Sequence, residues 1–372
     1  MRLTGKLPAG KLAALVALPL LLAVLLVSGC GDDDESDAAL DPFFGVAPEG
    51  LQNATDYERM RTGGVGTIRV VLQWSVIEPE KGAYNWTSSD QIMSQLAFTG
   101  TEPLVTVYGS PEIYAPDTSD APTNDEKAFD AWADFLRAAA ERYGSEGDFW
   151  ASFSAANPDV EPQPVREWEI WNEPNSSTFW SPTPDPEAYA DLLLRSAKVI
   201  SEADPEAAIM TAGMFATPQS DGAIVSYDFF EELFAVDGVK EAVDLVGLHP
   251  YAPDKDAVID QVEKTRATLD ESGVDVPIWA TEIGWGSDPS IHSDLAKTPE
   301  QQAELLGATF GELSDRRDEL GLSGAVWYTW HDSTESAIGE CGWCVSAGLV
   351  DADRDTKPAW VAYTELTGGA PD

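Results

Sequence analysis

Two short stretches of the chain each carry a glutamate behind a run of apolar and aromatic residues. The first is Trp168–Asn175, which contains Glu173, and the second is Ile278–Trp285, which contains Glu282. Each run is typical of a buried strand. If the fold brings the two carboxylates together across a cleft, they form the minimal machinery for hydrolysing a glycosidic bond. One of them must then have a raised pKa, so that it can donate a proton. The alternative is that each glutamate only ends a strand and pairs with a nearby base.

The elements that must position these glutamates alternate between strands and helices along the chain. We predict eight strands, each followed by a helical segment, at residues 42–46, 67–72, 104–108, a run ending at 173, 208–213, 243–249, 278–282 and 324–330. Eight such units in order predict an α/β fold, a single (β/α)8 TIM barrel over residues 42–372. In this fold the active-site residues lie at the C-terminal ends of the strands and in the loops that follow them.

Two further polar residues are predicted at the same end of the barrel. Arg69 lies within an apolar strand, and if it is buried it needs a carboxylate partner, either Glu169 or Glu282. The alternative is that Arg69 points outward to a helix. Asn172 directly precedes the first glutamate and could donate a hydrogen bond to the 2-hydroxyl of a sugar.

Several aromatic residues and a histidine are candidates for holding a substrate. His249 and Tyr251 follow the sixth strand and could orient the second glutamate or tune its pKa, although a structural role for either one is an equal alternative. Trp330 ends the eighth strand and is predicted to form the floor of a sugar pocket, because sugar rings stack on aromatic faces. Trp285 and Trp180 are candidates for neighbouring subsites. For any single tryptophan among the 13 in the chain, the alternative is a place in the core.

The composition limits the class of partner. The 372 residues include 65 acidic and 22 basic side chains, which gives a formal net charge of −43. Nucleic acids and anionic lipid head groups are therefore disfavoured as partners, because the field of the whole protein repels them. Hydrophobic residues make up 43% of the chain, which is enough for a substantial core.

The first 29 residues are predicted to be a lipoprotein signal peptide. A basic start precedes the apolar run Leu12–Val27, which has the length of a signal sequence and is short for a spanning helix. The run ends in Val27–Cys30, which resembles the bacterial lipobox, so that Cys30 would become a lipid-carrying N-terminus. Residues 30–41 would be an acidic tether, and the protein would lie outside the cytoplasm, anchored to the bacterial cell membrane by its lipid alone. The alternative is an ordinary secretory signal and a secreted protein.

The remaining two cysteines, Cys341 and Cys344, form a close pair. Outside the cytoplasm such a pair predicts a small structural disulfide. A thioredoxin-like redox motif is disfavoured, because this pair lies late in the chain and within a loop. A zinc site is disfavoured because no histidine or further cysteine adjoins the pair. We predict neither a metal nor another cofactor.

The two glutamate stretches resemble the clan A glycoside hydrolases, and are most similar to family 39 and to cellulase-like proteins of family 5. Other matching parts of the chain are Arg69, Trp74, residues 77–82 and 84–86, 249–251, Trp330, 348–350 and 357–360. The likeness covers roughly residues 43–366. Family 5 usually carries a His-Asn pair near the end of its third strand, whereas this chain has Val107–Pro111 there. That departure disfavours family 5.

The resemblance implies a retaining hydrolase of O-glycosidic bonds, β bonds in oligo- or polysaccharides, that works by double displacement without a cofactor. Glu173 would be the acid/base and Glu282 the nucleophile. The competing hypothesis is a non-catalytic carbohydrate-binding or solute-binding lipoprotein on a degenerate barrel. The presence of both glutamates disfavours a degenerate site, and a solute-binding protein normally has two α/β lobes.

Overall fold

The structure is a computed structural model that describes residues 39–123, 125–218, 220–333 and 341–371. The predicted signal peptide, Cys30 and the tether as far as residue 38 lie outside the described residues. The described residues from Leu40 onward form one compact unit. Within the part of the chain that is described, no helix is long and apolar enough to cross a membrane.

All neighbouring strands are parallel and form one sheet. The strands are β1 (Phe44–Val46), β2 (Thr67–Gln73), β3 (Glu102–Tyr108), β4 (Glu167–Ile170), β5 (Ala208–Thr211), β6 (Met214–Phe215), β7 (Val246–His249), β8 (Ile278–Ile283) and β9 (Leu322–Trp327). Their order is β5-β4-β3-β2-β1-β9-β8-β7-β6. Met210 in β5 also pairs in parallel with Leu245, just before β7, so the sheet closes on itself. β5 and β6 are therefore two halves of one barrel strand, and the predicted (β/α)8 barrel is confirmed.

The fifth barrel strand is broken because two of its backbone N–H groups bond to side chains. The Ala212 N–H donates to the Tyr189 hydroxyl at 2.6 Å, and the Gly213 N–H donates to Oε1 of Glu169 at 2.8 Å. A donor used in this way is lost to the ladder between strands. The prediction of one continuous strand over 208–213 is therefore wrong in detail.

Helices surround the sheet. They are α1 (Ala54–Thr62), α2 (Trp74–Ile77), α3 (Thr87–Thr99), α4 (Glu126–Tyr143), α5 (Asp148–Ala156), α6 (Pro186–Ala203), α7 (Ser226–Phe234), α8 (Val239–Ala242), α9 (Lys255–Glu271), α10 (Pro299–Asp315), α11 (Arg317–Leu320) and α12 (Pro358–Thr367), with a 3-10 turn at Trp343–Ser346. Helix α4 shows why they form. Its apolar side chains recur at helical spacing and are buried, among them Phe129, Trp132 and Phe135. Each such burial contributes roughly 1.5–3 kcal/mol.

The inside of the barrel has an apolar layer and a polar layer. The apolar layer is the cluster Ala47, Leu104, Met210, Leu245, Trp279 and Val326. Arg69 is in register with Leu104, and Thr106 is in register with Glu169, so these polar side chains share the interior face. The polar layer lies toward the C-terminal ends of the strands, which is where a barrel carries its active site.

Candidate active site

The first glutamate stands on a loop rather than on a strand. β4 ends at Ile170, and both Trp171 (φ 74°) and Glu173 (φ 40°) adopt left-handed backbone conformations. Such conformations cost side-chain-bearing residues about 1–3 kcal/mol each and persist where surrounding contacts impose them, often at functional sites. Here the Trp171 indole N–H donates to the Phe179 carbonyl at 2.7 Å, and the Glu173 N–H donates to the Gly213 carbonyl at 3.2 Å. The prediction of a strand extending to Glu173 is therefore wrong.

The loop behind Glu173 is held by Asn175, whose side chain is fully buried. Its Nδ2 donates to the carbonyls of Phe215 (2.7 Å) and Ile224 (2.8 Å), and its Oδ1 accepts from the Phe215 N–H at 3.2 Å. A buried amide with all of these bonds formed fixes the backbone on both sides of it. Asn175 thus ties the loop of the first glutamate to the next barrel strand.

The second glutamate, Glu282, lies near the C-terminal end of β8. The pairing of β8 with β9 shifts register between Ala280 and Ile283, so the strand is irregular around Glu282. Irregularities of this kind redirect side chains and are common beside active sites. The residue is 7% exposed, which places its carboxylate at the wall of the barrel's mouth.

The structure brings the two glutamates together. One carboxylate oxygen of Glu173, one of Glu282 and one ring nitrogen of His249 all lie within 4.8 Å of one another. His249 Nδ1 is 2.7 Å from Oε1 of Glu173 and 3.7 Å from Oε2 of Glu282. A short separation of this kind is typical of carboxyl pairs in which one group attacks a carbon atom directly, whereas pairs that place a water between substrate and base are about 6.5–9.5 Å apart.

Arg69 joins the second glutamate to the polar layer below it. Its Nε donates to Oε2 of Glu169 at 2.8 Å, its Nη1 to Oε1 of Glu282 at 2.5 Å, and its Nη2 to Oδ1 of Asn172 at 3.0 Å. The sequence left the two carboxylates as alternative partners, and the structure shows that Arg69 pairs with both. All three guanidinium nitrogens are used, so this buried cation is fully compensated.

Glu169 is a structural carboxylate with several donors besides Arg69. It accepts hydrogen bonds from the Thr106 hydroxyl, from the Thr281 hydroxyl at 3.0 Å and from the Gly213 N–H at 2.8 Å. It is 0% exposed and cannot meet a substrate. Its negative charge keeps Arg69 in place beneath Glu282.

The two glutamates have opposite pKa shifts. Burial raises the pKa of Glu173, and this effect outweighs the hydrogen bond and the charge of His249. Burial also acts to raise the pKa of Glu282, but the nearby charges of His249 and Arg69 and the hydrogen bond from Tyr251 outweigh it. The net pKa of Glu282 is therefore lowered. Environments that separate the pKa values of two carboxyl groups in this way favour one as a proton donor and the other as a permanently ionised group.

Tyr251 completes the contacts of the second glutamate. Its hydroxyl donates to Oε2 of Glu282 at 2.7 Å. Burial and the charge of Glu282 raise the pKa of Tyr251 well above its usual value, so the hydroxyl stays a donor. With Arg69 on the other oxygen, both oxygens of Glu282 are held and its orientation is set.

Four of the site residues named from the sequence are buried in the fold. Trp330 is fully buried, and its ring packs edge-on against Trp360 at 5.1 Å. Trp285 is also fully buried, and its Nε1 donates to the Ala252 carbonyl at 2.7 Å. Neither indole has an exposed face, which disfavours the prediction that a sugar stacks on either one. Arg69 and His249 are 3% and 0% exposed and contact the glutamates instead. Trp180, the other candidate for a neighbouring subsite, is 3% exposed.

Asn172 and Tyr251 remain at the mouth of the barrel. Because Oδ1 of Asn172 is held by Arg69, its Nδ2 is the group that it can offer to a ligand. The two side chains thus lie where the sequence predicted them, and their roles toward a substrate remain predictions.

Tyr328 and Glu49 were not identified from the sequence. Tyr328 directly follows β9, and its hydroxyl donates to Oε1 of the half-buried Glu49 at 2.5 Å. Burial, Glu49 and, more weakly, Glu282 raise the pKa of Tyr328. The position of Tyr328 immediately after a barrel strand could have identified it, but Trp330 lies at a similar position and the sequence does not distinguish the two.

The predicted disulfide between Cys341 and Cys344 is present in the loop after β9. Glu173, His249 and Glu282 could in principle offer three ligands to a metal ion. The guanidinium of Arg69 already contacts Glu282, and its positive charge opposes a second cation there.

Comparisons with known proteins address the fold. A sequence model of the glycoside hydrolase family 42, described as beta-galactosidase, matches residues 48–111. No curated protein matches the chain significantly. A family 39 glycoside hydrolase from the gut symbiont Bacteroides cellulosilyticus superposes with a TM-score of 0.62 at 22% identity, over 89% of this chain and 64% of that one. The chain thus spans just under two thirds of that protein.

Two further solved structures are similar. A monomeric beta-xylosidase from Caulobacter crescentus superposes with a TM-score of 0.60 at 20% identity, over 88% of this chain and 68% of that one. Xylanase 10B from Thermotoga petrophila does so with a TM-score of 0.59 at 16% identity, over 88% and 94%. The predicted resemblance to the clan A glycoside hydrolases is thus confirmed at the level of the fold, and this chain has their (β/α)8 barrel.

Proposed function

We propose that this protein is a retaining hydrolase of O-glycosidic bonds, acting on β bonds in oligo- or polysaccharides. The observation that supports it most is the pair Glu173 and Glu282, whose carboxylate oxygens come within 4.8 Å and whose pKa values shift in opposite directions. Retaining enzymes place their carboxyl groups about 5–5.5 Å apart, and inverting enzymes about 6.5–9.5 Å apart.

In the first step, the Glu282 carboxylate attacks the anomeric carbon while Glu173 protonates the departing oxygen. This forms a glycosyl ester on Glu282 and releases the leaving group as an alcohol. In the second step, Glu173 takes a proton from water, the water oxygen attacks the same carbon, and the ester bond to Glu282 breaks. Glu173 is then protonated again. The two steps need only the two carboxyl groups and water. Arg69 and Tyr251 donate hydrogen bonds to Glu282, which stabilises its ionised form before the first step and as the leaving group of the second.

The experiment is turnover of a panel of aryl β-glycosides. Xylosides, glucosides, mannosides and galactosides come first, because the similar proteins carry names such as beta-xylosidase, exo-beta-1,4-mannosidase and beta-galactosidase. Glu282→Ala should reduce turnover to background on every substrate. Glu173→Ala should lose about 10²–10⁴-fold where the leaving group needs a proton, and much less where it does not.

Added azide should restore turnover to Glu173→Ala by attacking the glycosyl-enzyme. Glu206→Ala, an exposed glutamate paired with Arg166, is the matched control and should behave as wild type. A first-formed product of inverted configuration, or near-normal activity of Glu282→Ala, would reject the assignment. A carbohydrate-binding or solute-binding protein without activity would bind sugars and turn over none of them.

We also propose that the protein acts outside the cytoplasm and is held to the cell membrane through a lipid on Cys30. This rests on the run Val27–Cys30 and on the acidic residues behind it. Several acyl chains on one N-terminus anchor a protein firmly, whereas a single chain holds weakly.

A further inference from the structure

A partly exposed tryptophan contacts two tyrosines that adjoin the second glutamate. Trp343 begins the 3-10 turn after β9, and its ring centroid lies 5.2 Å from that of Tyr251 and 6.2 Å from that of Tyr328. Tyr251 donates its hydroxyl to Glu282, and Tyr328 is close enough for the charge of Glu282 to raise its pKa. Trp343 therefore borders the site on the side of Glu282.

The indole of Trp343 is not stacked face to face with either tyrosine. Its plane is inclined at 63° to the ring of Tyr251 and at 69° to the ring of Tyr328, so neither tyrosine lies flat against it. The exposed part of an aromatic ring is a surface on which the C–H groups of a sugar can stack. The fully buried Trp330 and Trp285 have no such surface.

The backbone of Trp343 is fixed in place. A Cβ added to Gly286 would lie only 2.5 Å from the Trp343 carbonyl oxygen, so the two loops touch at a position that admits only glycine. The Ser287 N–H donates to the Ser346 carbonyl at 2.9 Å, and the Lys357 ammonium donates to the same carbonyl at 3.0 Å. The turn thus rests on the loop after β8 and on the start of α12.

The disulfide encloses this residue. Cys341 and Cys344 are joined by a disulfide, and Trp343 is one of the two residues between them in the sequence. The stabilisation that a disulfide provides grows with the length of the loop that it closes, so a ring this small contributes little to global stability. Its main effect must therefore be local, on the conformation of residues 341–344.

We propose that Trp343 stacks on the sugar ring that lies next to Glu282, and that the Cys341–Cys344 disulfide holds it in position to do so. Substrate affinity then depends on the disulfide even though the fold does not. This inference rests on the proposed glycoside hydrolase function and adds a residue that determines substrate binding. The ligand is a pyranose ring of a carbohydrate, recognised by its apolar C–H face.

The test compares kcat and KM of three proteins with wild type, on the aryl glycoside that wild type cleaves best. The variants are Trp343→Leu, Trp343→Phe and the double variant Cys341→Ser/Cys344→Ser. Trp343→Leu should raise KM, and the inhibition constant of the free monosaccharide, roughly three- to tenfold with little change in kcat, because stacking of this kind is lost equally from substrate and transition state. The KM of Trp343→Phe should lie between those of wild type and Trp343→Leu.

The double serine variant should show the same KM increase as Trp343→Leu while its melting temperature stays close to that of wild type. Trp86→Leu is the matched control, since Trp86 is also half-exposed but packs flat against Phe135 on the outside of the barrel, and it should leave KM unchanged. Melting temperatures of all variants separate a loss of folding from a loss of binding.

Each outcome bears on a different statement. If wild type cleaves no glycoside, the proposed function falls and this inference falls with it. If wild type is active but Trp343→Leu keeps the wild-type KM and inhibition constant, only the stacking role is overturned. If Trp343→Leu raises KM and the double serine variant does not, the role of the disulfide is overturned.

Discussion

The guanidinium of Arg69 and the carboxylate of Glu282 meet at 2.5 Å inside the mouth of the barrel, where their side chains are 3% and 9% exposed. Because little water reaches this pair, the charge of Arg69 acts on Glu282 with little screening. Together with His249 and Tyr251, it keeps Glu282 ionised although burial opposes ionisation. Burial raises the pKa of Glu173, and the opposing effects of His249 and, more weakly, of the Arg69 charge do not cancel that rise.

The opposite shifts predict a bell-shaped dependence of kcat/KM on pH. Activity rises as pH increases through the lowered pKa of Glu282, which must be ionised, and falls as pH increases through the raised pKa of Glu173, which must be protonated. Tyr251→Phe removes one hydrogen bond to ionised Glu282, so its pKa rises and the acidic limb should move to higher pH. The basic limb should stay close to its wild-type position. A profile in which only the basic limb moves would contradict the assigned roles.

The stability of the folded protein should depend on pH through Glu282. The lowered pKa of Glu282 means that its ionised form stabilises the folded state at pH values above its unfolded pKa, and that this contribution is lost as pH falls through the folded pKa. Tyr251→Phe should therefore reduce the pH dependence of the melting temperature on the acidic side.

Asn172 should contribute a hydrogen bond to the sugar 2-hydroxyl through its Nδ2. Asn172→Ala should lower kcat/KM by about tenfold or more on a normal glycoside, since tenfold corresponds to about 1.4 kcal/mol. The matched substrate is the 2-deoxy glycoside, which lacks the acceptor. The loss should shrink on that substrate, and the difference isolates the contact from the effect on Arg69. An equal loss on both substrates would show that Asn172 acts only through Arg69.

Trp330 should support the fold and not the substrate. Trp330→Ala removes a fully buried ring that packs against Trp360 and should destabilise the protein by about 3–5 kcal/mol. Trp330→Phe should cost less and leave KM unchanged, which thermal unfolding and steady-state kinetics measure together. A severalfold rise in KM for Trp330→Phe at an unchanged melting temperature would show instead that Trp330 contacts the sugar.

Cys30 should carry the membrane anchor. Cys30→Ala removes the residue that would be lipidated, so the protein should leave the membrane fraction when cells expressing it are fractionated. Detergent partitioning of wild type and variant provides a second measurement. Wild-type retention of Cys30→Ala on the membrane would show that the lipobox prediction is wrong.

The fold and the two glutamates were predictable because they depend on local patterns. Parallel strands that are buried on both faces have short apolar sequences, which alternate with those of amphipathic helices. The runs around Glu173 and Glu282 have such sequences. A barrel of parallel strands places the ends of all of them on one face, so the meeting of two residues far apart in sequence follows from the fold class. The need of a buried Arg69 for carboxylates follows in the same way.

The structure alone decided which aromatic rings face the cleft. Trp330 and Trp343 both follow the eighth barrel strand, yet the first turns into the core against Trp360, and the second stays half-exposed beside Tyr251. Backbone direction after a strand is not periodic, so residue type and spacing do not determine it. The break in the fifth strand was also invisible in the sequence, because it depends on Glu169 accepting a hydrogen bond from the Gly213 N–H of another strand. Contacts of this kind arise only when the chain has closed into a barrel, where distant side chains compete with neighbouring strands for the same backbone groups.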